Sequence, residues 1–323
     1  MYNESQKMEY LDSSSQYTPE SLVNVRRVLN RISKFEEEEE KDFCFIDNKE
    51  KVLDILSDIC GFSSGGIRNK MSMLKGYVKW CKDVKQLPNV SVIINDISVD
   101  EVSLRYVKHK FVADPADLQE CMDNIFDIED ELTVDNVFRC FLWMAFIGIN
   151  EDDMFSIQES DVDLRYQSVY FGGKDYPFPD EALDSFLNCI QLKEFRFKNS
   201  HYSSHEYGTR QRYDGAFLLR RSPYSAEDTV YNPDGERQKF QAYISMKNKK
   251  SGSPRVLTYK SIKSSGFFYR LYQQEKLGVG IEFDKVVEAL DEERDLQVNR
   301  GKALKQLERH VKDEYSRWKK TFY

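Results

Sequence analysis

Apolar positions recur at helical spacing along most of this chain, and a two-residue alternation appears in one short stretch. Over 18–35, Leu22, Val23, Val28, Leu29 and Ile32 follow a Thr18 cap and a first-turn Pro19, which predicts a helix. Val52, Leu53, Ile55, Leu56 and Ile59 predict a second over 48–60. A third, over 63–84, opens on SSGG and buries Ile67, Met71, Leu74, Val78 and Trp80 or Cys81. Residues 1–16 are polar and Ser-rich, so a frayed end is expected, and the glutamates at 36–40 read as a solvated helix end. Pro88 and the segment 95–112 read as the close of a helical domain and a linker.

The pattern places domains over 1–110 and 111–323. The second opens on a capped helix in FVADPADLQECMDNIFD, with Pro115 near its first turn. Next, Phe138, Phe141, Leu142, Met144, Ala145 and Ile147 form a nearly unbroken apolar run that closes on Gly148 and predicts a buried helix. Met154, Phe155 and Ile157 are spaced for another helix. Residues 165–179 alternate about Gly172 and Gly173, which predicts a β-hairpin, with a helix over 181–190 after it. The segment 195–260 is rich in Tyr, Ser and Arg and weakly periodic, and helical spacing returns from 261 to the end. The expected fold class is mainly α with a small β-hairpin or sheet.

No apolar run approaches the length of a membrane span, and the N-terminus lacks the basic start and apolar core of a signal peptide. Six cysteines (Cys44, Cys60, Cys81, Cys121, Cys140, Cys189) are scattered without a CxxC pair, which reads as reduced thiols of a cytosolic protein. HYSSHE sets His201 and His205 four apart beside Glu206, but its neighbours are not helix formers and no third ligand is evident. No metal and no cofactor are expected, and there is no Walker loop, dinucleotide fingerprint or GxSxG.

The net charge of −8 conceals a strong segregation. Residues 111–190 carry roughly −16, residues 191–270 roughly +9, and residues 61–90 roughly +5. Two basic zones separated by an acidic one fit a protein that presents one cationic face to a polyanion. In the predicted helix at 63–84, Arg68, Lys70, Lys75, Lys79 and Lys82 lie off the apolar positions, an arrangement that suits a DNA backbone.

Residues 137–163, VFRCFLWMAFIGINEDDMFSIQESDVD, resemble the signature of tyrosine recombinases, the phage integrases. In that family a buried helix ends in Gly-apolar-Arg, a second helix follows, and an acidic turn leads into a β-hairpin. The helix at 63–84 is similar to the last helices of the family's small helical core-binding (SAM-like) domain. The resemblance covers about 45–310 and implies a two-domain clamp around duplex DNA. It also implies a catalytic set of two arginines, a histidine, a hairpin lysine, a further His or Trp, and a nucleophilic tyrosine.

Against that pattern the first arginine falls on Asn150, which donates a hydrogen bond but carries no charge. The His-x-x-Arg box is matched to Phe267-Phe268-Tyr269-Arg270, framed by SxxSG before it and Gly278 after it, so Arg270 is kept and the histidine is lost at Phe267. Lys174 stands for the hairpin lysine and Tyr315 for the nucleophile, and 285–305 holds neither His nor Trp. Losing one preorganised donor typically costs about 2.7–4 kcal/mol of transition-state stabilisation, so no efficient catalysis is expected. The cations expected to contact DNA are Arg68, Lys70, Lys75, Lys79, Arg210, Arg212, Lys247, Lys249, Lys250, Arg255, Lys260, Lys263 and Arg270.

The resemblance thus implies a sequence-specific binder of double-stranded DNA, a phage or prophage transcriptional repressor acting in lysogeny. It would be cytoplasmic in a bacterial host, nucleoid-associated through DNA and without membrane contact, with self-association possible through 302–323. The alternative is an active, divergent recombinase using Tyr315 with Arg270 and Lys174. A third class is a protein-binding module that has abandoned DNA, for which binding would be insensitive to salt.

Overall fold

The computed structural model describes residues 1–14, 17–61, 63–126, 133–198, 207–211, 215–220, 231–253, 255–292 and 300–323. In chain order the N-terminal helices are α1 (Glu4–Ser13), α2 (Pro19–Glu39), α3 (Lys49–Cys60), α4 (Ser64–Asp83) and α5 (Val99–Lys110). After them come α6 (Pro115–Asp123), α7 (Asp135–Ile147), α8 (Glu151–Met154), β1 (Val162–Asp163), β2 (Ser168–Phe171), β3 (Lys174–Pro177) and α9 (Leu183–Gln191). The strands β4 (Glu194–Lys198) and β5 (Tyr207–Gln211) precede α10 (Pro233–Ser251), α11 (Tyr259–Lys276), α12 (Phe283–Glu292) and α13 (Arg300–Phe322). The fold is mainly helical with small antiparallel sheets, as the pattern predicts. Among the described residues no helix is long and apolar enough to cross a membrane.

Two compact units form, Met1–Lys108 with Glu282–Tyr323, and His109–Ile281. The sequence boundary near 110 assigns the C-terminal helices to the second domain, whereas in the structure they pack with the first unit. Their apolar residues account for this: Val287, Val311, Tyr315 and Trp318 are buried, and Tyr315 stacks on Trp318 at 6.3 Å. Arg317 donates to Ser64 and Ser103, and Lys320 lies 3.9 Å from Asp100. Val311, Tyr315 and Trp318 of α13 are therefore covered within their own chain.

In the first unit the expected frayed end is instead the docked helix α1. Its anchor is a lysine: Lys7 and Glu36 of α2 form a fully buried ion pair, and Glu36 also accepts from the Phe43 N–H at 2.8 Å. Gln6 donates to the Tyr77 hydroxyl at 2.7 Å, and Tyr77 in turn donates to Asp42 at 2.8 Å. Tyr10 packs on Tyr77 and Trp80 with ring centroids 5.3 and 5.6 Å apart. The expected linker over 95–112 contains α5, which buries Val102, Ser103 and Val107. A reciprocal cap starts it, Ser98 with Glu101, each side chain accepting from the other's backbone N–H.

In the second unit every residue of α7 is buried. Its polar members are matched inside: Asp135 accepts from Tyr243 at 2.7 Å and pairs with Lys247, and Arg139 pairs with Asp123 at 2.8 Å. Gly148 ends α7 in the left-handed region at φ 104°, and its N–H and that of Ile149 bond back to Ala145 and Met144. The helix expected after Gly148 is a single turn, α8. The hairpin forms as expected, with Phe171 opposite Lys174 and positive φ at both Gly172 and Gly173, which widens through β1 into three strands. β4 pairs antiparallel with β5. α10 lies within the weakly periodic 195–260; its buried face mixes Phe240 and Ile244 with Glu236 and Asn248.

Candidate nucleic-acid interface

Helix α4 sorts its residues cleanly between core and solvent. Ser63 caps it by accepting from Gly66 at 3.2 Å, and Ile67, Met71, Leu74, Val78 and Cys81 are buried. Arg68, Ser72, Lys75, Lys79 and Lys82 are spaced four, three, four and three, so they share one line along the helix. At 1.5 Å per residue that line is about 21 Å long. Lys75, Lys79 and Lys82 border a groove of about 620 Å³ with Tyr17, Ser72, Asp83, Val92 and Asn95. Among the described residues no carboxylate pairs with Arg68, Lys75, Lys79 or Lys82. Several cations elsewhere on this unit are paired: Lys34 with Asp58, Lys49 with Glu101, Lys51 with Glu39, Lys85 with Glu9, and Arg105 with Glu50 and Asp54. Lys70 stands off the line and donates to the Cys60 carbonyl at 2.9 Å, where it caps the end of α3.

In the second unit the turn from α7 to α8 is gripped by one stripe of α11, namely Tyr259, Lys263, Gly266 and Arg270. The Tyr259 hydroxyl donates to the Ile149 carbonyl at 3.2 Å and accepts from the Glu151 N–H at 2.9 Å. Lys263 donates to the Asn150 side-chain oxygen. Gly266 lies against the Phe146 backbone, and Arg270 donates to the Phe146 carbonyl at 2.7 Å beside Gly148. No carboxylate pairs with Arg270 among the described residues. Desolvation at the end of α7 pulls the pKa of Arg270 down to about 10, so it stays charged at neutral pH while keeping a solvent-facing side.

α11 begins at Tyr259, capped by Thr258 and Ser261. Phe267-x-x-Arg270 therefore sits in the interior of the helix. Phe267 is half-buried with its ring 5.6 Å from that of Phe268. The residue beside Asn150 is Lys263.

The remaining expected residues divide into three groups. Lys247 and Arg255 are held by carboxylates, Lys247 by the buried Asp135 and Arg255 by Asp117, with Arg255 also 3.2 Å from the Cys121 sulfur. Lys174, Lys249, Lys250 and Lys260 are exposed. Lys249 and Lys250 end α10, where cations also suit the helix dipole. Arg210 lies on β5 opposite Phe195, while Arg212, like His201 and His205, lies outside the described residues. Tyr315 belongs to the first unit, buried against Trp318 and 6.0 Å from the Phe283 ring, whereas Arg270 and Lys174 belong to the second. All six cysteines are buried and free, and among the described residues no cluster of His, Cys, Asp and Glu could hold a metal.

The sequence reading missed Tyr259 and the pairing of Asn150 with Lys263. The signal was present in Thr258-x-x-Ser261, a cap that fixes where α11 starts. Residues 1–83 match the family described as MrpR, N-terminal core-binding domain. No curated protein matches the sequence. Among solved structures the chain is similar to XerA recombinase, at 12% identity and a TM-score of 0.36, over 82% of this chain and 84% of that one.

Proposed function

We propose that this chain is a sequence-specific duplex-DNA-binding regulator, a phage or prophage transcriptional repressor built on a tyrosine-recombinase architecture that has lost its cleavage chemistry. The observation that carries the reading is the line Arg68, Lys75, Lys79 and Lys82 on α4. Like charges three and four residues apart repel by about 0.2–0.5 kcal/mol per pair, and among the described residues no carboxylate pairs with this line. A polyanion with regularly spaced phosphates supplies what the unit does not. The match of 1–83 to a core-binding domain is in keeping with this use of α4. The narrower resemblance, to the recombinase-like master repressor of SPβ-type temperate Bacillus phages, rests on chain length and the mixture of kept and lost motifs.

The test is binding of the full chain to fragments selected from the host and prophage genome, over a range of salt, with each complex also run on a denaturing gel. Binding should weaken steeply with salt, by a slope of about −0.9 per phosphate contacted. Lys75→Gln and Lys79→Gln should each remove about one unit of that slope for every sequence tested. Salt-independent binding, or slopes unchanged in both variants, would sink the reading. A covalent adduct lost in Tyr315→Phe would return the chain to the active recombinases. We expect none, because an attacking hydroxyl must reach a phosphate and the Tyr315 ring is buried against Trp318.

A further inference from the structure

We infer that the far rim of the groove beside α4 is a base reader, in which Asn95 recognises an adenine and Val92 an adjoining thymine methyl in the DNA major groove. The inference rests on the DNA-binding reading and supplies a contact that makes such binding depend on sequence.

The two rims of the groove differ in chemistry. Lys75, Lys79 and Lys82 stand on one, which suits a strand backbone, the convex and charged part of a duplex. The other carries Val92 and Asn95. Both are exposed and uncharged, with 41% of Val92 open to solvent. Among the described residues the Asn95 side-chain amide has no hydrogen-bond partner. Asp96 follows it and Asp83 lines the groove, so this rim offers phosphate no second cationic wall. Phosphate contacts position a protein on DNA, whereas base edges carry the sequence. With the lysines on the phosphates of one strand, an uncharged rim across the groove lies where that strand's base edges begin.

Local structure sets the pair side by side and holds it still. Val92 precedes a short 3₁₀ helix, Ile93–Asp96, and the Asn95 N–H donates to the Val92 carbonyl at 2.9 Å. At three residues per turn, side chains three apart eclipse, so Val92 and Asn95 share one side of the turn. Ile94 and Ile97 are buried beneath it, and the Ser91 N–H donates to the Cys44 carbonyl at 2.8 Å. A reader on an anchored turn has little left to order when it binds. The chemistry of the pair then selects the base. An asparagine amide accepts from adenine N6 and donates to N7, and an aliphatic side chain covers the thymine methyl, which only the major groove presents. A phosphate would leave the exposed surface of Val92 without an apolar partner, and that methyl supplies one.

The test uses the full chain and a selected fragment in which each adenine is replaced in turn by 7-deazaadenine, which lacks N7, and each thymine by uracil, which lacks the methyl group. At one adenine the replacement should weaken binding about tenfold, and at an adjoining thymine about fourfold. Asn95→Ala should lose about tenfold on the natural fragment and become insensitive to that 7-deazaadenine. Val92→Ser should lose about fourfold and become insensitive to that uracil. Neither change should alter the salt slope, the affinity for random-sequence duplex or the melting temperature, because both side chains are exposed and uncharged. Lys75→Gln gives the opposite signature, a lower slope and an equal loss on every sequence. The inference is overturned if no 7-deazaadenine weakens binding, or if Asn95→Ala affects selected and random DNA alike. It is also overturned if either variant stays sensitive to every replacement that the unaltered protein senses. If Lys75→Gln also leaves binding unchanged, the DNA-binding reading itself has failed.

Discussion

Glu36→Leu is expected to destabilise the first unit by about 3–5 kcal/mol, and Lys7→Met made in the same chain should recover most of that loss. The single change strands the Lys7 ammonium in a site where both side chains are fully shielded from water. The double change removes both charges and replaces them with apolar groups of similar size. Its residual cost is the Phe43 N–H, which loses its acceptor Glu36 and with it about 1–3 kcal/mol. Denaturant unfolding of the full chain at pH 8 measures both variants, and a double variant as unstable as the single would mean that charge isolation is not the cause. A pH dependence follows from the same pair. Burial outweighs the nearby Lys7 and raises the Glu36 pKa from 4.5 to about 7. The native state then holds that proton more tightly than the unfolded chain, so this group's stabilisation is complete below pH 4.5 and is lost as pH rises towards 7. The double variant should lack that slope.

The same pair shows where hydrophobic patterning stops being informative. α1 was unreadable because its anchor is a lysine, a residue that periodicity assigns to the surface, and its partner lies in a run of five glutamates. Helical spacing puts Glu36, four residues after Ile32, on the buried face of α2, but only the contact with α1 shows what a carboxylate does there. α10 was missed for a related reason, since polar residues such as Glu236 and Asn248 share its buried face. By contrast α7 and the hairpin were legible from local rules. An apolar run buried on every side needs no partner to identify it, and two glycines with positive φ fix a two-residue turn.

The candidate interface divides in the same way. On α4 the line of cations is written in the spacing of Arg68, Lys75, Lys79 and Lys82, and the structure adds that no carboxylate answers them among the described residues. Over 247–270 several lysines and arginines have equal standing by charge alone, because counting charges cannot show which are already paired. Lys247 and Arg255 prove to be held by Asp135 and Asp117, residues more than a hundred positions away in the chain. That Lys263 lies beside Asn150 depends on the start of α11, which Thr258 and Ser261 set, and on a contact that no local pattern encodes.

Gly266→Ala should be the most damaging single methyl group that can be added to the second unit. A Cβ at this position would lie 2.7 Å from the carbonyl carbon of Phe146 and closer still to its oxygen, and both belong to backbone that no rotamer change can move. Overpacking a well-filled interior costs about 1–3 kcal/mol, and a clash with helix backbone belongs at or above the upper end. For a unit of this size about 3 kcal/mol corresponds to a fall of roughly 6–12 °C in melting temperature. Gly65→Ala is the control: it adds the same methyl group within α4, where nothing lies within 4 Å, and alanine's better helix propensity should leave stability equal or higher. Calorimetry on both variants gives the contrast, and equal melting temperatures would mean that α7 and α11 are not packed this closely. The effect also extends to the interface. Pushing α11 off α7 carries Tyr259 and Lys263 away from Ile149 and Asn150, so the turn after α7 loses the hydrogen bonds that pin it. Close approach of two helix backbones at one glycine is thus what keeps α11 bonded to the turn after α7.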